Sequence, residues 1–247
     1  MSEFFSRSEA LLGIESMKRL AEARVLVVGV GGVGSWCAEA LVRTGLGHIT
    51  LVDDDVVAES NVNRQCPATA TTVGRPKVEA MAERLTAINP GCEVEARNSR
   101  FSSAASFFSL ASFDLIVDAI DSVDCKAELI LGATEAGVPI VSSMGAALRL
   151  DPTKVKVTRF EKVEGDGLAR ALRQRFKKLG RFPKGKFSCV WSTETPVGRL
   201  VPDRRGAQGT ARPTIGEGKG SLMQVTAVFG MCLASEAIKI LTKGETK

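Results

Sequence analysis

Residues 24–34 read RVLVVGVGGVG, an apolar run that passes directly into a glycine-rich turn. The β-branched residues predict a buried strand, and the helix formers in residues 31–43 predict a helix after the turn. The turn holds four glycines, Gly29, Gly31, Gly32 and Gly34. Glycine lets the backbone approach a phosphate, and the free N–H groups at the start of a helix attract an anion. The stretch predicts a nucleotide site, for which an NAD-dependent dehydrogenase is the default interpretation.

The alternation of strands and helices continues along the chain. Further strands are predicted at residues 48–53, 92–96, 113–119 and 138–143, with helices at 75–88 and 123–135. Such alternation is typical of a parallel sheet with helices on both faces, in which ligands bind at the carboxyl ends of the strands. We therefore expect an α/β fold with a doubly wound, mostly parallel, Rossmann-like sheet.

The pattern changes after about residue 150. We expect a strand at 155–160, a basic stretch at 165–188, a mobile loop rich in glycine and proline at 196–220, and a final helix capped by Ser221 that ends near Leu241. The length of 247 residues fits a single domain over 1–247. Its nucleotide-binding core is expected over about 20–150, and a substrate-side extension over about 151–247.

The composition argues against several kinds of site and location. A single histidine, His48, and the absence of tyrosine argue against catalysis that depends on histidine. The six cysteines contain no C-x-x-C pair, which argues against a zinc ribbon and indicates reduced thiols in the cytoplasm. No apolar run is long enough to require a membrane span. The net charge of +5 is mild, so its distribution matters more than its size.

Polar residues after the second predicted strand distinguish between nucleotides. Asp53 ends that strand, where a carboxylate accepts hydrogen bonds from ribose hydroxyls. Arg64 offers a planar fork that suits phosphate, and Lys77 stands at a helix start, where a cation is unfavourable unless it faces an anion. Beside them lie Asp55, Ser60, Asn61, Asn63 and Gln65. The asparagines bind phosphate or ribose, or form simple turns, and both interpretations remain open.

A second acidic group, Asp118 and Asp121, ends the fourth predicted strand and is followed by Ser122. Two carboxylates at this position suit Mg²⁺ beside phosphates, and capping of the next helix is the simpler interpretation. These carboxylates, together with Arg64 and Lys77, favour ATP over NAD. The two cations would draw charge from the phosphates while a substrate carboxylate attacks the α-phosphorus, which requires electrostatics and positioning but no histidine.

Five segments together resemble the ThiF/MoeB/HesA superfamily, the bacterial relatives of ubiquitin-activating enzymes. They are GVGGVG (29–34), LVDDDVV (51–57), SNVNRQ (60–65), VGRPK (73–77) and DAIDS (118–122). The resemblance implies adenylation of a carboxylate with ATP and Mg²⁺ by a homodimer. It assigns the ribose to Asp53 and the phosphates to Arg64 and Lys77. It also assigns magnesium to Asp121, and it makes Arg7 the candidate that reaches the partner subunit's ATP, the simpler interpretation being a solvated arginine.

Within the superfamily, the chain is most similar to the branch that acts on threonylcarbamoyladenosine in tRNA. FSRSEALLG (5–13), DAIDSV (118–123), DPT (151–153) and CVWSTE (189–194) carry this similarity. It implies ATP-dependent cyclising dehydration of that nucleoside. The alternative is adenylation of the C-terminus of a ubiquitin-like sulfur-carrier protein. A sulfur-transfer protein is a further candidate partner, with Cys189 as the acceptor thiol, although a buried and inert thiol is the simpler interpretation.

The basic stretch at 165–188 is strongly one-sided in charge. Its basic residues are Arg170, Arg173, Arg175, Lys177, Lys178, Arg181, Lys184 and Lys186, against Asp166 alone. The stretch predicts either a footprint for tRNA phosphates or an ordinary solvated face. We expect its phenylalanines, Phe176, Phe182 and Phe187, to face the core, and any RNA contact to depend on shape and phosphates more than on base stacking.

Overall fold

A seven-stranded sheet in the order β3-β2-β1-β4-β5-β7-β6 organises this computed structural model, which describes residues 3–102, 109–197 and 220–243. The strands are β1 (Arg24–Val28), β2 (His48–Asp53), β3 (Glu93–Asn98), β4 (Leu115–Asp118), β5 (Ile140–Ser143), β6 (Val155–Arg159) and β7 (Ser188–Ser192). Neighbouring strands pair in parallel except β6 and β7, which pair antiparallel. The predicted α/β fold with a mostly parallel sheet is confirmed.

Helices cover both faces of the sheet. They are α1 (Ser6–Leu12), α2 (Ile14–Glu22), α3 (Gly34–Thr44), α4 (Lys77–Ile88), α5 (Val123–Glu135), α6 (Gly167–Leu179) and α7 (Met223–Thr242). Side chains alternate across a strand, so Val25 and Val27 of β1 join the core under α3, α4 and α7, while Leu26 and Val28 join the core under α5 and α6. All four are buried, as expected for a central parallel strand.

The final helix α7 is long and apolar enough to cross a membrane by length and composition alone. In the structure it packs against α3, and Val225, Phe229, Leu233 and Ala237 are buried. Because these residues fill the core on one face of the sheet, α7 is a structural helix of the fold. It begins at Met223 after the N-cap Leu222, so the predicted cap at Ser221 is wrong.

Other parts of the prediction differ in detail. No strand is predicted from the sequence at β7, and no helices are predicted at α1 and α2. Phe176 and Phe187 are buried as expected, but Phe182 is 60% exposed, so its assignment to the core is wrong. Most of the predicted loop at 196–220 lies outside the described residues.

Candidate nucleotide site

The glycine turn lies at the carboxyl edge of the sheet, against the loop that follows β4. Gly29 has φ 91°, and a Cβ there would stand 2.7 Å from the carbonyl oxygen of Ala119. A Cβ on Gly34 would stand 1.8 Å from the carbonyl oxygen of Gly29. Both positions therefore require glycine. The result is a tight turn whose backbone leads directly into α3, the arrangement that receives a phosphate.

Asp53 joins the glycine turn to the end of β2. Its Oδ2 accepts the N–H of Val30 at 2.6 Å, and its Oδ1 accepts the N–H of Asp55 at 2.9 Å. Burial raises the pKa of Asp53, with Lys77 and these two N–H groups opposing the change. The carboxylate therefore fixes the two elements that border the expected ribose position.

Lys77 begins α4 and is directed at Asp55. Its Nζ lies 2.6 Å from Asp55 Oδ2, and its own N–H donates to the Asp55 carbonyl oxygen at 3.0 Å. The Lys77 side chain is only 6% exposed, whereas that of Asp55 is 67% exposed. In this structure, the anion that Lys77 faces is therefore Asp55, and a phosphate would have to share or replace that contact.

Arg64 lies beside the glycine turn and is oriented by its own segment. Its guanidinium donates to the Ser60 carbonyl oxygen at 2.8 Å and to Asn63 Oδ1 at 2.9 Å. The Arg64 Cγ would be 3.3 Å from a Cβ on Gly32. Trp36 of α3 donates from its indole nitrogen to the Arg64 carbonyl oxygen at 2.9 Å. These contacts bring the predicted phosphate-binding arginine to the start of α3.

The polar residues around Arg64 take different roles. Asn61 Oδ1 accepts the N–H of Ala58 at 3.1 Å, which is the turn-forming interpretation of that residue. Asn63 Nδ2 donates to the Ser221 carbonyl oxygen at 2.9 Å and so ties the segment to the start of α7. Gln65 is 6% exposed, and its Oε1 has no hydrogen-bond partner among the described residues. Gln65 Nε2 lies 3.9 Å from a Cβ built on Gly31, so this amide stands beside the glycine turn, where its buried oxygen is available to a polar ligand.

Asp118 faces inward and does not contribute to a metal site. Its Oδ2 accepts from Lys126 Nζ and from Ser142 Oγ, each at 2.6 Å, and all three side chains are buried. Its Oδ1 accepts the N–H of Ile120 at 3.2 Å. The interpretation of Asp118 as a magnesium ligand is therefore wrong. Sequence reasoning missed Lys126, which α5 brings back over the end of β4.

Asp121 remains exposed at the same edge, and Ser122 is the N-cap residue of α5 but makes no side-chain cap hydrogen bond. The carboxylates of Asp53, Asp54 and Asp55 also lie within 4.8 Å of one another. Both oxygens of Asp53 accept backbone N–H groups, and Asp55 is paired with Lys77. Mg²⁺ takes carboxylate oxygens together with phosphate oxygens, so the exposed Asp121 carboxylate suits a magnesium nucleotide.

Arg100, just after β3, is a site residue that the sequence analysis missed. A hydrogen bond with Cys125, and the nearby Asp54 and Asp121, raise the pKa of its guanidinium. Arg100 therefore adds positive charge near the exposed Asp54 and Asp121 at the carboxyl edge of the sheet. Its position immediately after a strand was the available sequence signal.

Two predicted residues lie away from this group. Arg7 is exposed on α1, which packs against α2, and the described contacts include no hydrogen bond or salt bridge between it and the residues above. Cys189 is fully buried in β7, and burial raises the pKa of its thiol. A buried neutral thiol is a poor nucleophile, which favours the simpler interpretation of Cys189.

Comparison with known proteins agrees with this architecture. The chain is 40% identical over 247 residues to the tRNA threonylcarbamoyladenosine dehydratase of Escherichia coli, covering 95% of this chain and 92% of the relative. It is 37% identical to the same-named protein of Bacillus subtilis, covering 97% and 94%. The E. coli dehydratase crystallised with ATP superimposes with a TM-score of 0.81 at 38% identity, covering 96% and 93%.

The profile of the ThiF family matches residues 5–247, almost the whole chain. The segments that carry the resemblance in the sequence build the carboxyl edge of the sheet around the glycine turn, Asp53, Arg64, Lys77 and Asp121, which is the nucleotide edge. The predicted family is thereby confirmed, and the chain belongs to the ThiF family.

Proposed function

We propose that the chain is an ATP-dependent adenylating enzyme that converts threonylcarbamoyladenosine in tRNA into its cyclic, dehydrated form. The observation that carries the proposal is the 40% identity to the E. coli dehydratase along 95% of the chain. That span includes the part after residue 150 as well as the nucleotide edge. A match confined to the glycine turn would support nucleotide binding alone.

The nucleotide edge offers contacts for the ribose and the phosphates of ATP. The glycine turn and the start of α3 receive phosphate, and Asp53 lies where ribose hydroxyls are bound. Arg64 and Lys77 supply positive charge to the phosphates as charge develops during displacement. Gln65, with its unpartnered amide oxygen, supplies a further buried polar contact. Asp121 is the proposed magnesium ligand, and bound Mg²⁺ would neutralise phosphate charge.

The reaction follows from the chemistry of the substrate carboxylate. One carboxylate oxygen attacks the α-phosphorus of ATP, and the bond to pyrophosphate breaks. The carbamoyl group of the same side chain then attacks the activated carbonyl carbon, loses a proton and displaces AMP. This second step is intramolecular, so holding the two reacting groups in the right geometry is enough to make it fast. The sum is loss of one water from the nucleoside and cleavage of ATP to AMP and pyrophosphate.

Further features of the proposal come from the family resemblance. We infer that the chain acts as one adenylating domain in a homodimer, with Arg7 reaching the partner subunit's ATP. The exposure of Arg7 on α1 suits that role. A cytoplasmic location suits a tRNA substrate and the free cysteines among the described residues. A sulfur-transfer partner remains a further proposal, but the burial of Cys189 gives it no support.

The test is AMP and pyrophosphate release by the purified protein with ATP and Mg²⁺. Transfer RNA that carries threonylcarbamoyladenosine is compared with the same tRNA without the modification. We expect release only with the modified tRNA, together with loss of the mass of one water from its nucleoside. Release that is independent of tRNA and requires a ubiquitin-like carrier protein would support the alternative and contradict the proposal.

A further inference from the structure

The exposed face of α6 carries basic side chains that the fold does not use. The helix buries Ala169, Leu172 and Phe176. Positions 170, 174, 177 and 178 share the opposite face because of the helical period. Three of these are basic, namely Arg170, Lys177 and Lys178, and all three are exposed. None of the three takes part in a side-chain hydrogen bond or salt bridge within the described parts of the chain.

Other basic residues of the same stretch have structural partners. Arg173 donates to the carbonyl oxygens of Phe160 and Val163 at 2.9 and 2.7 Å. Arg175 lies 2.8 Å from Asp124. Arg181 Nη2 donates to both carboxylate oxygens of Glu135, at 2.8 and 3.0 Å. The structure thus divides the basic stretch into arginines that hold α6 in place and cations left free for a ligand.

The free cations are placed to meet a ligand that extends from the nucleotide edge. Asp166 caps α6 and also accepts the N–H of Gly145, two residues beyond the end of β5. The carboxyl end of β5 lies at the same edge as Asp121, so α6 starts there. Its other end lies away from that edge, because Arg181, just after α6, pairs with Glu135 at the end of α5. From Arg170 to Lys178 the helix rises about 12 Å, which spans several phosphates of one nucleic-acid strand.

An exposed aromatic residue follows α6 in the chain. Phe182 is 60% exposed and lies between the end of α6 and the exposed Lys186. A large exposed aromatic side chain among cations is a common feature of surfaces that bind RNA, because bases stack on the ring while cations meet the phosphates.

We propose that Arg170, Lys177, Lys178 and Phe182 form a docking surface for the tRNA backbone, outside the nucleotide site. The inference rests on the proposed tRNA substrate, and it identifies where the body of that substrate binds. Arg173, Arg175 and Arg181 support the surface without contacting RNA. The adenosine that reacts stays at the carboxyl edge of the sheet, while α6 holds RNA more distant from it.

The test uses the full chain with Arg170→Gln, Lys177→Gln and Lys178→Gln combined, and with Phe182→Ala alone. We expect the triple variant to weaken binding of unmodified tRNA roughly tenfold. Its slope of log Kd against log salt should fall by about two to three, because three phosphate contacts are lost. The KM for modified tRNA should rise while the KM for ATP stays unchanged. Phe182→Ala should raise the Kd about fivefold or more.

Two triple variants serve as controls. Arg170→Lys, Lys177→Arg and Lys178→Arg preserve the charge and should bind tRNA normally. Lys18→Gln, Arg24→Gln and Lys243→Gln remove the same charge elsewhere on the surface and should leave the salt slope unchanged. Equal affinity and salt slope in the α6 variant and this second control would overturn the proposal and indicate another partner, such as an acidic protein. Failure of the wild-type chain to release AMP would instead contradict the proposed function.

Discussion

The charged side chains at the end of β4 are buried and paired, whereas those on the outer face of α6 are exposed and unpaired within the described residues. Lys126 and Asp118 are fully buried, 2.6 Å apart, and joined by Ser142. Arg170 and Lys177 are exposed on a surface helix. A buried charge without a partner is costly, so Lys126 and Asp118 must stay together. Asp118 also accepts the N–H of Ile120, which holds the start of the loop that leads to Asp121. Exposure of a cation to water costs little free energy, so Arg170 and Lys177 need no partner in the protein and are available to a ligand. Burial and pairing therefore separate charges that build the site from charges that meet the substrate.

Breaking the buried pair should produce the largest loss of stability. We expect Lys126→Met to lower the free energy of unfolding by about 3–5 kcal/mol, because Asp118 would remain buried without its cation. Urea denaturation measures the change. Lys18→Gln removes one partner of an exposed pair with Glu15 and should leave the midpoint unaltered. Equal losses in the two variants would contradict the claim that the buried pair, unlike an exposed pair, is important for stability.

Loss of Arg64, the proposed phosphate-binding cation, should slow the reaction and leave stability intact. Arg64→Gln is expected to slow AMP formation by about 10²–10³-fold, because one donor to the developing charge is lost. Arg75→Gln is the control, since Arg75 lies in the same part of the chain but pairs with Glu83 at 2.7 Å on the surface. If both variants turn over at the wild-type rate, the proposed role of Arg64 is wrong.

A third buried charge, Glu39, gives a pH-dependent comparison. Burial by itself would raise the pKa of Glu39, but hydrogen bonds from Arg84, Cys66 and Arg43 outweigh it and hold the pKa at about 2. A lowered pKa stabilises the folded state above the ordinary carboxyl pKa, and this contribution disappears as the pH falls toward 2.

We therefore expect the wild-type chain to lose stability between about pH 4.5 and pH 2, and Glu39→Gln to lose less over that range. Thermal unfolding at a series of pH values measures both curves. Glu15→Gln is the matched control at an exposed carboxylate and should follow the wild-type curve closely. Parallel curves for the wild type and Glu39→Gln would show that this cluster does not contribute to acid stability.

The smallest effect is expected at Cys189. Its thiol is buried in β7, and Cys189→Ala removes one sulfur atom from the core without touching the nucleotide edge. We expect ATP-dependent ring closure at close to the wild-type rate, measured by mass spectrometry of the nucleoside. Near-complete loss of ring closure with normal folding would show that the thiol takes part in the reaction.

Local sequence pattern was sufficient for the elements that carry the nucleotide edge. The prediction for β2 matches His48–Asp53, and that for α5 matches Val123–Glu135. Both signals are local, namely a run of apolar residues and a helical period bounded by capping residues or turns. The glycine turn was also predictable, because glycines between a strand and a helix are a local signal. The structure gives the reason, since Gly29 and Gly34 have no room for a side chain.

The contacts that sequence reasoning missed depend on the fold. Lys126 meets Asp118 because α5 returns over the strand that precedes it. The exposure of Phe182 depends on how the chain leaves α6. Neither residue belongs to a periodic pattern that would reveal its surroundings. The division of the basic stretch into paired and free cations likewise became visible only when Arg175 and Asp124 were seen together.

The central claim, that the substrate carboxylate is activated by adenylation, can be tested by following one oxygen atom. The carboxylate of threonylcarbamoyladenosine is labelled with a heavy oxygen isotope in tRNA, and AMP is recovered after a single turnover. We predict one labelled oxygen in each AMP, because the attacking oxygen leaves with the α-phosphorus. Recovery of unlabelled AMP, together with ring closure, would contradict it and show that ATP is cleaved by another route.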